Sequence, residues 1–134
     1  MIEPGSATTS SGSRRVNIRL RRIYEAPGPE DGKRILIDRL WPRGLSKAKA
    51  GVDVWAKDIA PSAELRRWYR HESDKWPEFK RRYHAELDAN ADGVAALLSQ
   101  VEGADVTLLF ASREEQLNNA AALKEYLESR ARAS

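Results

Sequence analysis

Hydrophobic positions change their spacing several times along this chain, and the changes mark out its elements. Val16, Ile18 and Leu20 alternate with Asn17, Arg19 and Arg21, a period of two that predicts a strand with one solvated face. The Pro27-Gly28-Pro29-Glu30-Asp31-Gly32 stretch is turn chemistry. Two continuous apolar runs, Ile35-Leu36-Ile37 and residues 106–111, predict strands over 34–38 and 106–111 that are buried on both faces. From Asp38 to about Ala60 the pattern is irregular, with Pro42, Gly44, Gly51 and a short strand expected near Val52 to Trp55. A loop this long inside a compact domain points to function.

Helical spacing then dominates. Leu65, Trp68 and Tyr69 share one face of a helix opening at Ser62. Trp76, Phe79, Tyr83 and Leu87 form a second stripe, with Ser73 or Asp74 expected as its cap and Pro77 in its first turn, where a missing N–H costs little. Val94, Leu97, Leu98 and Val101 follow Asn90 as cap, and Gly103 ends that helix. The last helix carries Leu117, Ala120, Ala121, Leu123, Lys124 and Leu127, and Ser112 with Glu115 reads as a capping box that starts it just after Ser112. Two buried strands among amphipathic helices predict an α/β fold: a small, at least partly parallel β-sheet flanked by helices, in a single domain. Residues 1–15, rich in Ser, Thr and Gly, read as a disordered tail ahead of one domain spanning 16–131.

Composition narrows the functional classes. At 134 residues the chain builds one domain with a real core. The absence of cysteine excludes disulfides, thiolate zinc sites and cysteine nucleophiles. No apolar run approaches the roughly 20 residues of a membrane span, and the polar N-terminus lacks the apolar core of a signal peptide, so the expectation is a cytoplasmic protein with no membrane partner. A net charge of +3 permits an anionic partner without demanding one.

The candidate site comes from topology. Ligands of open parallel sheets bind outside the carboxyl ends of the strands. The two apolar strands end in Asp38-Arg39-Leu40-Trp41-Pro42-Arg43-Gly44 and in Ser112-Arg113-Glu114-Glu115. Neighbouring parallel strands would bring Asp38, Arg39, Trp41, Arg43, Ser112 and Arg113 to one edge, with Asn118 and Asn119 a turn further on. Guanidinium forks suit phosphate or carboxylate, and Trp41 offers a ring face. Competing structural readings exist: Ser112 as a helix cap, Asp38 paired with Arg39 or Arg43, and Trp41-Pro42 as a packing plug. Neither the Walker A nor the Rossmann glycine pattern occurs.

Other constellations are weaker. His71 and His84 lack metal-ligand spacing, and no metal site is expected. Basic residues around Arg14–Arg22, Arg66–Arg70 and Lys80–Arg82 alternate with aromatic side chains, which keeps a nucleic-acid surface as the alternative function. Their helical spacing favours a solvated face. The expectation is therefore a pocket for an anionic ligand, a nucleotide or phosphate ester, with no reaction and no cofactor assigned.

From Arg34 onward the strings Ile35-Leu36-Ile37-Asp38-Arg39-Leu40-Trp41-Pro42-Arg43-Gly44-Leu45-Ser46, Asp53-Val54-Trp55-Ala56-Lys57-Asp58-Ile59-Ala60-Pro61-Ser62 and Trp76-Pro77-Glu78-Phe79-Lys80-Arg81-Arg82-Tyr83 resemble the YeaO-like proteins of the domain of unknown function 488 superfamily. The resemblance implies a small prokaryotic, cytoplasmic α/β domain with no established activity. Asp38, Arg39, Trp41, Arg43, Gly44, Trp55, Lys57, Asp58, Arg113 and Asn118 stand at its motif positions. One departure matters: those proteins often carry His-Asn where this chain has Leu117-Asn118. The replacement removes a group suited to proton transfer.

Overall fold

The computed structural model describes residues 16–70 and 72–133, so the expected tail and His71 lie outside the described residues. Four strands, β1 (Asn17–Arg22), β2 (Lys33–Leu36), β3 (Val54–Trp55) and β4 (Asp105–Phe110), form one sheet in the order β1-β4-β2-β3. Every pairing is parallel. The two apolar runs are thus neighbours, with Ile35 opposite Leu108 and Leu36 opposite Leu109. The fold is α/β, and the sheet is wholly parallel.

Period-two alternation sorts the strand residues onto two different faces. Ile18, Ile35, Ile37, Val106, Leu108 and Phe110 point into the larger core. Four helices cover that face: α2 (Ala63–Tyr69), α3 (Trp76–Asp88), α4 (Ala91–Val101) and α5 (Asn119–Ala133). They contribute Leu65, Tyr69, Phe79, Tyr83, Leu87, Leu97, Leu123 and Leu127. Each fully buried aliphatic side chain in such a layer contributes roughly 1.5–3 kcal/mol over its exposed state. The opposite face has a smaller core of Ile23, Leu36, Ala50 and Leu109, with Trp41, Leu45 and Val52 packed against it. What covers it is loop and one short helix, α1 (Lys47–Ala50), capped by Ser46 and closed by Gly51 in the left-handed conformation.

The stretch between β1 and β2, residues 23–32, is part of that cover. It returns the chain to the start of a parallel strand without a helix, although such crossovers usually contain one. A buried carboxylate holds it in place. Asp31 accepts hydrogen bonds from Arg21 (3.0 Å), from the Gly28 amide (3.1 Å) and from Arg34. Arg34, itself buried, donates further to the carbonyls of Ala50 (2.9 Å) and Gly51 (3.0 Å), and Thr107 Oγ1 donates to the Asp31 carbonyl (2.8 Å). Gly32 follows at φ 64, where an added Cβ would meet the Asp105 carbonyl oxygen at 2.1 Å, so only glycine fits there.

The helix caps agree with the sequence in two places and differ in two. Ser62 Oγ accepts from Leu65 N and Asn90 Oδ1 from Gly93 N, as expected. Neither Ser73 nor Asp74 caps α3: residues Ser73–Lys75 form a 3-10 turn that leads straight into Trp76, and no side chain caps the helix. The final helix does not open after Ser112 but at Asn119. Among the described residues no helix is long and apolar enough to cross a membrane.

Candidate functional site

The parallel pairing of β2 with β4 delivers both polar segments to one edge of the sheet. Asp38 ties them together. Its Oδ2 accepts from the Ala111 amide (2.8 Å) and its Oδ1 from Asn119 Nδ2 (3.0 Å), so the carboxylate joins the ends of two strands to the start of α5. The alternative pairing with Arg39 or Arg43 is not formed; the carboxylate is turned instead to the Ala111 backbone amide and the Asn119 side-chain amide. The loop after Asp38 is pinned by three further bonds. Trp55 Nε1 donates to the Asp38 carbonyl (2.8 Å), Trp41 Nε1 to that of Leu45 (2.6 Å), and the Tyr24 hydroxyl to that of Arg43 (3.2 Å). Trp41 meets Trp55 edge-on with ring centroids 5.5 Å apart. Trp41 therefore packs and also lines the site.

A cavity of about 600 Å³ opens at this edge. Asp38, Arg39, Trp41, Arg43 and Ser112 line it; Arg113 and Asn118 are not among its lining residues. The reason is local. Ser112 Oγ accepts from Glu114 N, two residues on, instead of from the amide of Glu115 three residues on. The Glu114 carboxylate then takes the amides of Gln116 and Leu117 (3.0 Å each). Asn118, fully buried, caps α5 by accepting from Ala121 N (3.0 Å) and donates to the Glu114 carbonyl (2.6 Å). The segment is a self-bonded loop, which leaves Arg113 exposed and Asn119, not Asn118, in the cavity wall.

Two arginines that periodicity assigned to a solvated helix face, Arg66 and Arg67 on α2, line the same cavity. Their helix opens at Ser62, at the end of the long loop, and that proximity was the available signal. None of Arg39, Arg43, Arg66 and Arg67 is ion-paired among the described residues. Arg39 makes one long contact to the Pro61 carbonyl (3.5 Å). The arginines of α3 are placed differently. Arg81 and Arg82 both donate to Glu78 at 2.6–2.8 Å, and these hydrogen bonds pull the Glu78 carboxyl down to about 2. Arg82 also lies over the Trp68 ring at 4.2 Å.

The inner wall is aromatic. Tyr69 and Phe79 stack with centroids 4.2 Å apart, and the Tyr69 hydroxyl donates to the Leu117 carbonyl (2.7 Å). Burial, with the Glu114 charge adding to it, pushes that hydroxyl up to about 12. His84 stands away from the cavity, bonded through Nε2 to the Ala122 carbonyl (2.9 Å). Among the described residues no group of three or more His, Asp or Glu side chains is placed to hold a metal ion.

Two uncharacterised proteins resemble most of the chain. The uncharacterised protein Rv3073c of Mycobacterium tuberculosis is 40% identical over 117 residues, covering 87% of this chain and 98% of the relative. The uncharacterised protein YeaO of Escherichia coli is 36% identical over 114 residues, covering 85% of this chain and 99% of its own. No solved structure matches the chain. The profile of a family described as the inactive DUF488-N3 subclade matches residues 17–134, nearly the whole described domain. The chain belongs to the inactive DUF488-N3 subclade.

Proposed function

We propose that this protein binds an anionic small molecule, a nucleotide or phosphate ester, in the cavity at the carboxyl ends of β2 and β4, and that it binds without turning it over. One observation carries the reading: four arginines, Arg39, Arg43, Arg66 and Arg67, line one cavity of about 600 Å³, and none of them is ion-paired among the described residues. A volume of that order suits a small ligand. Unpaired guanidinium forks at its walls provide bidentate recognition of phosphate.

Three features support binding over catalysis. Asp38, the acidic side chain in the wall, has both oxygens engaged by Ala111 and Asn119 and is a poor general base. Leu117 stands where a histidine is frequent in the proteins this sequence resembles. The family's own description calls its subclade inactive. A nucleic-acid surface on the Arg-rich helices is the weaker reading, since Arg81 and Arg82 are already held by Glu78.

The test is a thermal-shift screen of nucleotides, sugar phosphates and carboxylates. A ligand at one hundred times its Kd stabilises by about 2.7 kcal/mol. For a domain of this size that raises Tm by roughly 10 °C. Arg43→Ala and Arg66→Ala should abolish the rise, and a rise that survives both substitutions refutes the proposal.

A further inference from the structure

The cavity is graded from mouth to floor, and the gradient identifies the kind of ligand. Its exposed lining residues are the four arginines together with Tyr24 and Leu40, the latter 70% exposed. Its buried lining residues are Pro42, Ala60, Tyr69 and Phe79, with no charged side chain among them. Between the two zones sit Asp38, Trp41, Ser112 and Asn119, and the Asp38 carboxylate, the Trp41 indole N–H, the Ser112 Oγ and the Asn119 Nδ2 are each bonded to the protein itself. Asp38 takes Ala111 N and Asn119 Nδ2, Trp41 donates to the Leu45 carbonyl, and Ser112 Oγ takes Glu114 N. The floor hydroxyl, on Tyr69, is given to the Leu117 carbonyl.

A nucleobase needs hydrogen-bonding groups along its edge, and burying that edge against committed groups leaves its donors and acceptors unmet, which is costly. An apolar ring has no such requirement, and the Tyr69–Phe79 stack offers it aromatic contact. At the mouth, four cations against one carboxylate favour a dianion over a monoanion. Resting on the anion-binding reading above, we infer that the ligand class is an aryl phosphate: an apolar aromatic body on the buried floor and a dianionic phosphate held by Arg39, Arg43, Arg66 and Arg67.

The experiment is calorimetric titration of the full chain with 1-naphthyl phosphate, adenosine monophosphate and inorganic phosphate. Naphthyl phosphate should bind at least tenfold more tightly than either of the others. Arg43→Ala should weaken it tenfold or more. Ala63→Phe, which fills the cavity beside the floor and leaves the arginines alone, should weaken naphthyl phosphate while sparing inorganic phosphate. If that variant lowers the unliganded melting temperature, Ala63→Leu replaces it. Adenosine monophosphate binding as tightly as naphthyl phosphate overturns the inference and leaves the arginine pocket standing. Unchanged naphthyl phosphate affinity in the floor variant overturns it as well. If none of the three probes binds, or if binding ignores Arg43→Ala, the anion-binding reading falls and takes this inference with it.

Discussion

Replacing Asp31 with asparagine preserves the shape of the side chain and removes the charge that holds residues 23–32 over the sheet. In the native protein the Asp31 side chain is 2% exposed and that of Arg34 5% exposed. Asp31→Asn leaves one oxygen for three donors (Arg21, Arg34 and the Gly28 amide) and turns an NH₂ group toward one of them. The Arg34 guanidinium keeps its bonds to Ala50 and Gly51 but loses its counter-charge in a nearly dry site. Breaking one partner of a buried ion pair costs about 3–5 kcal/mol, and the retained oxygen places this substitution near the low end, about 3–4 kcal/mol. For a domain of this length the loss lowers Tm by about 12–16 °C.

Arg21→Gln is the control. That side chain is 25% exposed and also contacts Glu25, so its removal should cost no more than about 1 kcal/mol. Urea unfolding followed by tryptophan fluorescence measures both. Replacing the pair together, as Asp31→Leu with Arg34→Met, should cost less than the sum of the single changes, because neither buried charge is then left alone. If Asp31→Asn costs no more than Arg21→Gln, the carboxylate is not what anchors the loop.

Two further outcomes follow from the same geometry. Burial acts to raise the Asp31 carboxyl, but hydrogen bonds from the Gly28 amide, Arg21 and Arg34 outweigh it and hold the group below its ordinary value of 3.8. A carboxyl with a lowered folded pKa contributes stability above its unfolded value and loses it as pH falls through the folded one. The urea midpoints of the wild type and Asp31→Asn should therefore converge as pH drops below about 4, and a constant gap between pH 6 and pH 2.5 would contradict the assignment. Asp38→Ala removes the acceptor shared by Ala111 and Asn119, each a hydrogen bond to a charged group. It should cost about 2–4 kcal/mol in urea unfolding, with amide exchange faster at Ala111; unchanged exchange there would show that the strand ends hold together without it.

Much of the fold is legible in apolar spacing because the residues responsible act locally. Ile35-Leu36-Ile37 and the run ending at Ala111 read as central strands, and they are paired side by side. Ser62 and Asn90 read as caps because a side-chain oxygen two or three residues ahead of an amide is a short-range device. The start of α5 differs from the one its spacing predicts because its devices are equally short-range. Ser112 and Glu115 have capping-box spacing, yet Glu114 satisfies the next two amides and Asn118 takes over the cap. Several local arrangements compete there, and spacing does not choose between them.

The site was legible in part. Arg39, Trp41 and Arg43 follow from a strand-end loop, whereas Arg66 and Arg67 reach the cavity through the packing of α2 against α3, which the sequence signals only by the nearness of Ser62 to the end of that loop. Arg34 was hidden most deeply. An arginine inside an apolar strand reads as a boundary residue, and only the fold brings Asp31 and two backbone carbonyls to it.

The strand order also bears on how the chain reaches its native state. β4, the last strand to be synthesised, lies between the first two, and its pairing with each is what joins them. On the ribosome, β1 and β2 can emerge without being able to close a gap that only β4 fills. Most of the sheet's sequence-distant pairing is thus deferred until Asp105–Phe110 has left the exit tunnel, a topology that slows folding and prolongs the exposure of unpaired strand edges. The arginines in β1, at Arg19, Arg21 and Arg22, keep that waiting edge charged and discourage two nascent chains from zipping together.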